Sequence, residues 1–178
     1  MSAPRPTAEA LRESEERYRS LFDHMAEGLA YCQMLFDGDR PVDWVYLEVN
    51  GAFEALTGLK GAAGRRVSEV IPGLRESDPR LFEIYGRVSR TGRPERFETF
   101  VEALGQWFGV SVYCPRRDHF VAVFDVITQR KRTEGSLLVH AERIERLARA
   151  VQDLAGAKSV EAVADVVRRS ARALAGRA

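Results

Sequence analysis

Residues 105–132, GQWFGVSVYCPRRDHFVAVFDVITQRKR, constrain the fold more tightly than any other stretch of the chain. Gln106 to Tyr113 and His119 to Ile127 are rich in Val, Phe, Trp and Tyr, which fit a pleated, half-buried surface. Pro115-Arg116-Arg117-Asp118 between them has turn composition, so the pair reads as a hairpin. At Thr128 the pattern flips, because Gln129-Arg130-Lys131-Arg132 sits comfortably only on a solvated helical turn, with Thr128 as its N-cap. A strand therefore runs straight into a helix.

The segments upstream supply what such a hairpin needs to bury. Residues 7–25 read as an amphipathic helix with Thr7 as N-cap and an apolar stripe of Leu11, Tyr18, Leu21, Phe22 and Met25. His24 suits a helix C-terminus better than metal ligation, since no second ligand stands nearby. Leu29 to Phe36 is a strand closed by the turn Asp37-Gly38-Asp39, and Asp43 to Val49 is the return. Simple alternation places Val45, Leu47 and Val49 on one face and Trp44, Tyr46 and Glu48 on the other. We expect the aliphatic set to face the pocket. Asn50 caps a short helix, Gly51 to Thr57, stopped by Gly58. Asp78 to Arg90 reads as an amphipathic helix with Leu81, Ile84, Tyr85 and Val88 on one side, and Pro94 to Val101 as another strand.

Two of these runs carry a resemblance. Phe120 to Arg132, FVAVFDVITQRKR, resembles the last strand and exit helix of PAS domains, which commonly end in Asp-Ile-Thr-x-Arg-Lys. Here Val126 stands at the aspartate position and Asp125 one residue early. Glu48 to Gly58, EVNGAFEALTG, resembles the second strand and first helix of the same family, in which an Asn precedes a small-x-Phe and Thr-Gly closes the segment. The resemblance covers about residues 14–132. It implies an α+β PAS fold: a five-stranded antiparallel sheet in the order 2-1-5-4-3, helices on one face, and amphipathic helices flanking it at both ends. In that order Cys32 and Cys114 lie on strands separated by a third, about 10 Å apart and beyond disulfide reach, so both read as buried thiols.

The organisation expected is an N-terminal helix (1–25), a PAS domain (26–128), a coiled-coil linker helix (129–155) and the start of a following domain (156–178). In the linker, Leu137, Ile144 and Val151 share one heptad position, and His140, Leu147 and Leu154 the other. Val160, Val163, Val167, Ala171 and Leu174 form an apolar stripe behind the cap Ser159, and residues 141–178 are similar to the opening helices of a GAF domain. A fragment of a longer multidomain protein is the simplest account.

Charge and composition exclude several functions. The formal charge is +1, from 27 basic and 26 acidic residues spread along the chain, so no field exists to hold nucleic acid. No apolar run is long enough to cross a bilayer, and the polar, acidic start is unlike a secretory signal, which points to the cytosol with no membrane contact within the chain. No Gly-x-Ser-x-Gly elbow, phosphate loop or His-Glu-x-x-His helix is present, so no catalysis is expected from this chain itself.

What the PAS resemblance implies is sensing. Flavin-photoadduct members carry Asn-Cys-Arg-Phe-Leu where this chain has Arg66-Val67-Ser68, and haem-binding members usually take a histidine from the helix that here, Asp78 to Arg90, has none. Both cofactors are therefore disfavoured and the cofactor is left unassigned; a small organic ligand or a filled core remains. The expected role is a sensory and dimerisation module of a bacterial-type signalling protein, such as a sensor histidine kinase, acting as a parallel homodimer. Its pocket would involve Leu47, Val49, Phe53, Ile84 and Val110, its junction Ile127 and Thr128, and its seam Leu137, His140, Ile144, Leu147 and Val151. The alternative is a ligand-free dimerisation scaffold.

Overall fold

A computed structural model describes residues 8–156 of the 178-residue chain. Thr7 and the stripe from Val160 to Leu174 lie outside the described residues. The described elements are α1 (Ala8–His24), β1 (Gly28–Asp37), β2 (Arg40–Val49), α2 (Gly51–Thr57), α3 (Val67–Val70), α4 (Leu74–Ser77), α5 (Pro79–Thr91), β3 (Glu95–Val101), β4 (Gln106–Tyr113), β5 (His119–Val126) and α6 (Thr128–Gly156), with a 3-10 turn at Glu102–Leu104.

All five strands form one antiparallel sheet in the order β2-β1-β5-β4-β3. The two expected hairpins, β1–β2 and β4–β5, are present, β3 and β4 form a third, and the helices between β2 and β3 pack on the inner face. That face carries Ala30, Cys32, Met34, Phe108, Val110, Val112, Phe120, Ala122 and Phe124, all buried against α2 and α5. The chain divides into two compact units, one ending at Thr128 and the other beginning at Gln129.

The alternation expected in β2 is broken, and this reverses its facing. Tyr31 pairs with Glu48 while the next residue, Cys32, pairs with Tyr46, so Leu47 is the extra residue of a β-bulge. Without the bulge, Tyr46 and Val49 would face opposite ways; with it both share the inner face, Val49 opposite Ala30. Trp44 and Tyr46, expected outside, are buried at 3% and 5% exposure, whereas Leu47 is only half-buried. Size decides the outcome: Trp44 alone meets the rings of Tyr46, Phe82, Tyr85 and Phe120 at centroid distances of 4.7 to 6.3 Å.

The edge of β2 is covered by the chain that follows α2. The Gly64 amide donates to the Tyr46 carbonyl at 2.7 Å, and the Tyr46 amide donates to Arg65 at 3.0 Å. Asp43, buried on β2, then anchors α3: its Oδ1 accepts from the amides of Trp44 and Ser68, and its Oδ2 from the Ser68 hydroxyl at 2.7 Å. These bonds close an edge that would otherwise invite another strand.

At the opposite end of β1, Gly28 is required by a close approach. A Cβ built there would stand 2.5 Å from the tip of the Phe124 ring, which is itself confined by Phe53 and Phe108. Gly28→Ala should destabilise the protein by about 1–3 kcal/mol through overpacking. In a Phe124→Leu background most of that loss should disappear, a coupling that urea titration of the four proteins of the double-mutant cycle would measure. Additive losses would show that the ring is not the obstacle.

Cys32 is fully buried, as expected, but Cys114 lies just beyond β4 and is half-buried, donating its thiol proton to the Arg116 carbonyl at 2.9 Å. Both are free thiols. The turn that follows holds Asp118 at φ +60°, in the left-handed region. That strain is compensated by a clamp: the Asp118 carbonyl accepts from Met34 at 2.8 Å and its amide donates to Ser89 at 3.1 Å, fixing the β4–β5 turn to β1 and α5.

Candidate functional site: an internal cavity and the strand–helix junction

Between the inner sheet face and α2, α4 and α5 lies a cavity of about 70 Å³. Its walls are Cys32 and Ala30 from β1, Trp44 and Tyr46 from β2, Phe53 from α2, Leu81 and Tyr85 from α5, Phe108 and Val110 from β4, and Phe120, Ala122 and Phe124 from β5. Of the five residues expected there, Phe53 and Val110 line it. Leu47, Val49 and Ile84 do not: Leu47 sits in the bulge, Val49 packs on the core beside the cavity, and Ile84 is buried on a flank of α5 that the cavity does not reach. Reading β2 by strict alternation missed Trp44 and Tyr46, and nothing in the alternation pattern marks Leu47 as the bulged position.

The polar atoms of this cavity are few. Thr57 donates to the Phe53 carbonyl at 2.6 Å and Thr99 to Asp78 Oδ2 at 3.1 Å, so both hydroxyls are occupied. Burial pushes the Cys32 thiol well up, which keeps it protonated and a poor nucleophile. Burial likewise raises the phenols of Tyr46 and Tyr85; for Tyr85 the neighbouring Tyr46, Cys32 and Asp78 add to the effect. The wall is neutral throughout, with no Lys, Arg, His, Asp or Glu on it.

Asn50 joins this wall to the N-terminal helix. Its side chain is 2% exposed and makes four hydrogen bonds. Oδ1 accepts from the amides of Leu29 at 2.8 Å and Phe53 at 2.9 Å; Nδ2 donates to the carbonyls of Phe22 at 3.2 Å and Glu27 at 3.0 Å. The expected capping of α2 is present, and with it a four-way tie between α1, the loop after it, β1 and α2. Close by, a surface groove is lined by Tyr18, Leu21, Phe22 and Met25 on one side and by Leu29, Tyr31, Tyr113 and Val121 of the outer sheet face on the other.

At the far end of the sheet, β5 passes into α6 through Ile127 alone. Trp107, the neighbour of the cavity residue Phe108, holds both junction residues: its carbonyl accepts from Ile127 at 2.8 Å, and its amide donates to Thr128 Oγ1 at 2.9 Å. The helix begins at Thr128 itself, so the hydroxyl expected to cap it instead binds β4. Ile127 is buried; Asp125 is exposed on the outer face opposite Gly109.

Within α6, Leu137, Ile144, Leu147 and Val151 are all exposed, at 65%, 67%, 51% and 64%. His140 donates from Nδ1 to the Ser136 carbonyl at 2.8 Å. The other side of the helix carries ion pairs such as Glu142–Arg146 and Glu145–Arg149, at 3.1 and 2.9 Å. No described helix is long and apolar enough to cross a membrane, and no cluster of three metal-ligating residues occurs among the described residues.

Comparison with known proteins was made on sequence and on structure. Residues 16–90 match the sequence profile of the PAS domain family. No curated protein matches the chain. Similar solved structures include a domain of an HTR-like protein from Haloarcula marismortui, 19% identical with a TM-score of 0.44 over 58% of this chain and 100% of that one. The PAS domain of a Colwellia psychrerythraea protein is 13% identical, with a TM-score of 0.42 over 65% and 98%. The PAS domain of BvgS from Bordetella pertussis is 16% identical, with a TM-score of 0.36 over 73% and 98%. The profile match runs from within α1 to the last turn of α5, and the strands around it complete the five-stranded 2-1-5-4-3 sheet that the PAS resemblance implies.

Proposed function

We propose that this PAS domain is the sensory and dimerising module of a multidomain signalling protein of the sensor-histidine-kinase type, with no catalytic activity of its own. A change in what fills the cavity would be relayed through Ile127 and Thr128 into α6, which pairs with the same helix of a second copy in parallel. The observation that carries this reading is the double hydrogen bond from Trp107 to the junction, because it ties the first turn of α6 to the strand whose next residue, Phe108, lines the cavity. A ligand that favours one arrangement of β4 thereby acts on the start of the exit helix.

The seam rests on spacing and exposure. Leu137, Ile144 and Val151 recur every seven residues and Leu147 follows His140 by seven, on a helix where these four apolar side chains are exposed. Native mass spectrometry at micromolar concentration should give a dimer, and Ile144→Glu a monomer. A monomeric parent protein would sink the dimer. The same spectrum reads mass beyond the polypeptide, which separates a ligand-holding sensor from a bare scaffold; the small size of the cavity is what favours the scaffold as the second reading.

The junction makes its own prediction. Thr128→Val removes the acceptor for the Trp107 amide, whereas Thr128→Ser keeps it. Hydrogen exchange of that amide should quicken about fivefold or more in the valine variant, equivalent to about 1 kcal/mol, and stay near the parent rate in the serine variant. Equal exchange in all three proteins would mean that the junction does not hold β4.

A further inference from the structure

The cavity holds a chemical asymmetry that the sensory reading leaves unused, and the following deepens that reading and rests on it. Tyr85 is 7% exposed and lines the cavity from α5, and its hydroxyl makes no hydrogen bond to any described residue. Tyr46 is 5% exposed and also lines the cavity, and its O–H donates to no described residue. Two phenol donors thus line the same apolar space, and no described residue accepts a hydrogen bond from either. Buried donors are ordinarily paired, and leaving one unpaired is costly.

We infer that the cavity takes a small neutral molecule with one carbonyl-type oxygen on an otherwise apolar frame, the oxygen accepting from Tyr85 and Tyr46. A carbonyl oxygen has two lone pairs and can accept from both phenols. An anion is disfavoured because no cation lines the wall and Asp78 stands behind Tyr85 and Thr99. Size sets a ceiling: about 70 Å³ is roughly half the 150 Å³ that admits benzene, so the resident has about three or four heavy atoms unless the walls move. Thr57 and Thr99, with their hydroxyls already committed, present methyl groups and no competing donor.

Three planar isosteres of four heavy atoms separate the parts of this inference: acetone, isobutene and acetate. Each is titrated into the full chain carrying labelled methyl groups, and the shifts of Ile71, Leu74, Leu81, Val110 and Ala122 are followed by NMR. Acetone should shift these methyls saturably, isobutene should bind about three- to tenfold more weakly, and acetate should leave them unchanged. Tyr85→Phe should narrow that difference, and the double variant Tyr46→Phe/Tyr85→Phe should bring acetone and isobutene to nearly equal affinity without weakening isobutene. If isobutene equals acetone in the parent protein, or the preference survives the double variant, the phenol–carbonyl contact is wrong while the cavity remains a binding site. Saturable acetate binding would overturn the neutral class. If none of the three moves a cavity methyl, the cavity is not a ligand site, and the sensory reading falls with the inference.

Discussion

Asn50→Ala should destabilise the sheet domain by roughly 3–4 kcal/mol, one of the largest losses expected from any single truncation. The side chain is buried and satisfies two amides and two carbonyls at once, so its removal orphans groups on β1 and α2 together with the last turn of α1 and the loop after it. Urea unfolding followed by tryptophan fluorescence measures the loss. Asn50→Asp is the informative companion. It keeps both acceptor contacts but places a carboxylate against the Phe22 and Glu27 carbonyls, so at neutral pH it should cost at least as much as alanine. The carboxyl is disfavoured in its charged form, so the deficit relative to the parent at equal pH should shrink as acidification protonates it and restores one donor. A loss under 1 kcal/mol for the alanine variant would mean that water replaces the side chain and that the four-way tie is incidental.

Phe120→Ala should cost about 3–5 kcal/mol, since the ring is 1% exposed, stacks on Tyr85 at 4.5 Å and stands edge-on to Trp44 at 5.9 Å. Because the ring is also a wall of the cavity, its loss enlarges that space. The variant should then be stabilised by benzene, by about 1.4 kcal/mol at a tenfold excess over the dissociation constant, while the parent gains nothing. Thermal unfolding with and without benzene reads both arms. Equal stabilisation of parent and variant would show that the native walls open readily and that the present volume sets no limit on what the cavity admits.

The two expected hairpins could be read from the chain because their turns are local: Asp37-Gly38-Asp39 and the Pro115–Asp118 run declare themselves, whereas the sheet order followed only from the PAS resemblance of the two motifs. The cavity was legible only in part. Phe53 follows directly from the motif after Asn50, and Val110 from regular alternation in an undisturbed strand. Leu47 fails because a bulge is a tertiary compromise: the chain gives up one ladder pair so that Trp44 and Tyr46 can fill a volume that aliphatic residues would leave empty, while Val49, on the inner face, packs beside the cavity. Thr128 shows the same limit at the other end of the sheet. Its identity announced a helix start, but whether its hydroxyl serves the helix or a neighbouring strand depends on Trp107, 21 residues earlier in the chain.

The placement of the two tryptophans, the only two in the chain, has a practical consequence. One indole is built into the cavity wall, and the other belongs to the residue that grips the junction. They are therefore two intrinsic optical probes at the two ends of the proposed relay. Trp44→Phe leaves an emission that reports on the junction alone, and Trp107→Phe one that reports on the cavity alone. Recorded against the same titration, the two single-tryptophan proteins would show whether events at one end are felt at the other, and in what order, with no label attached.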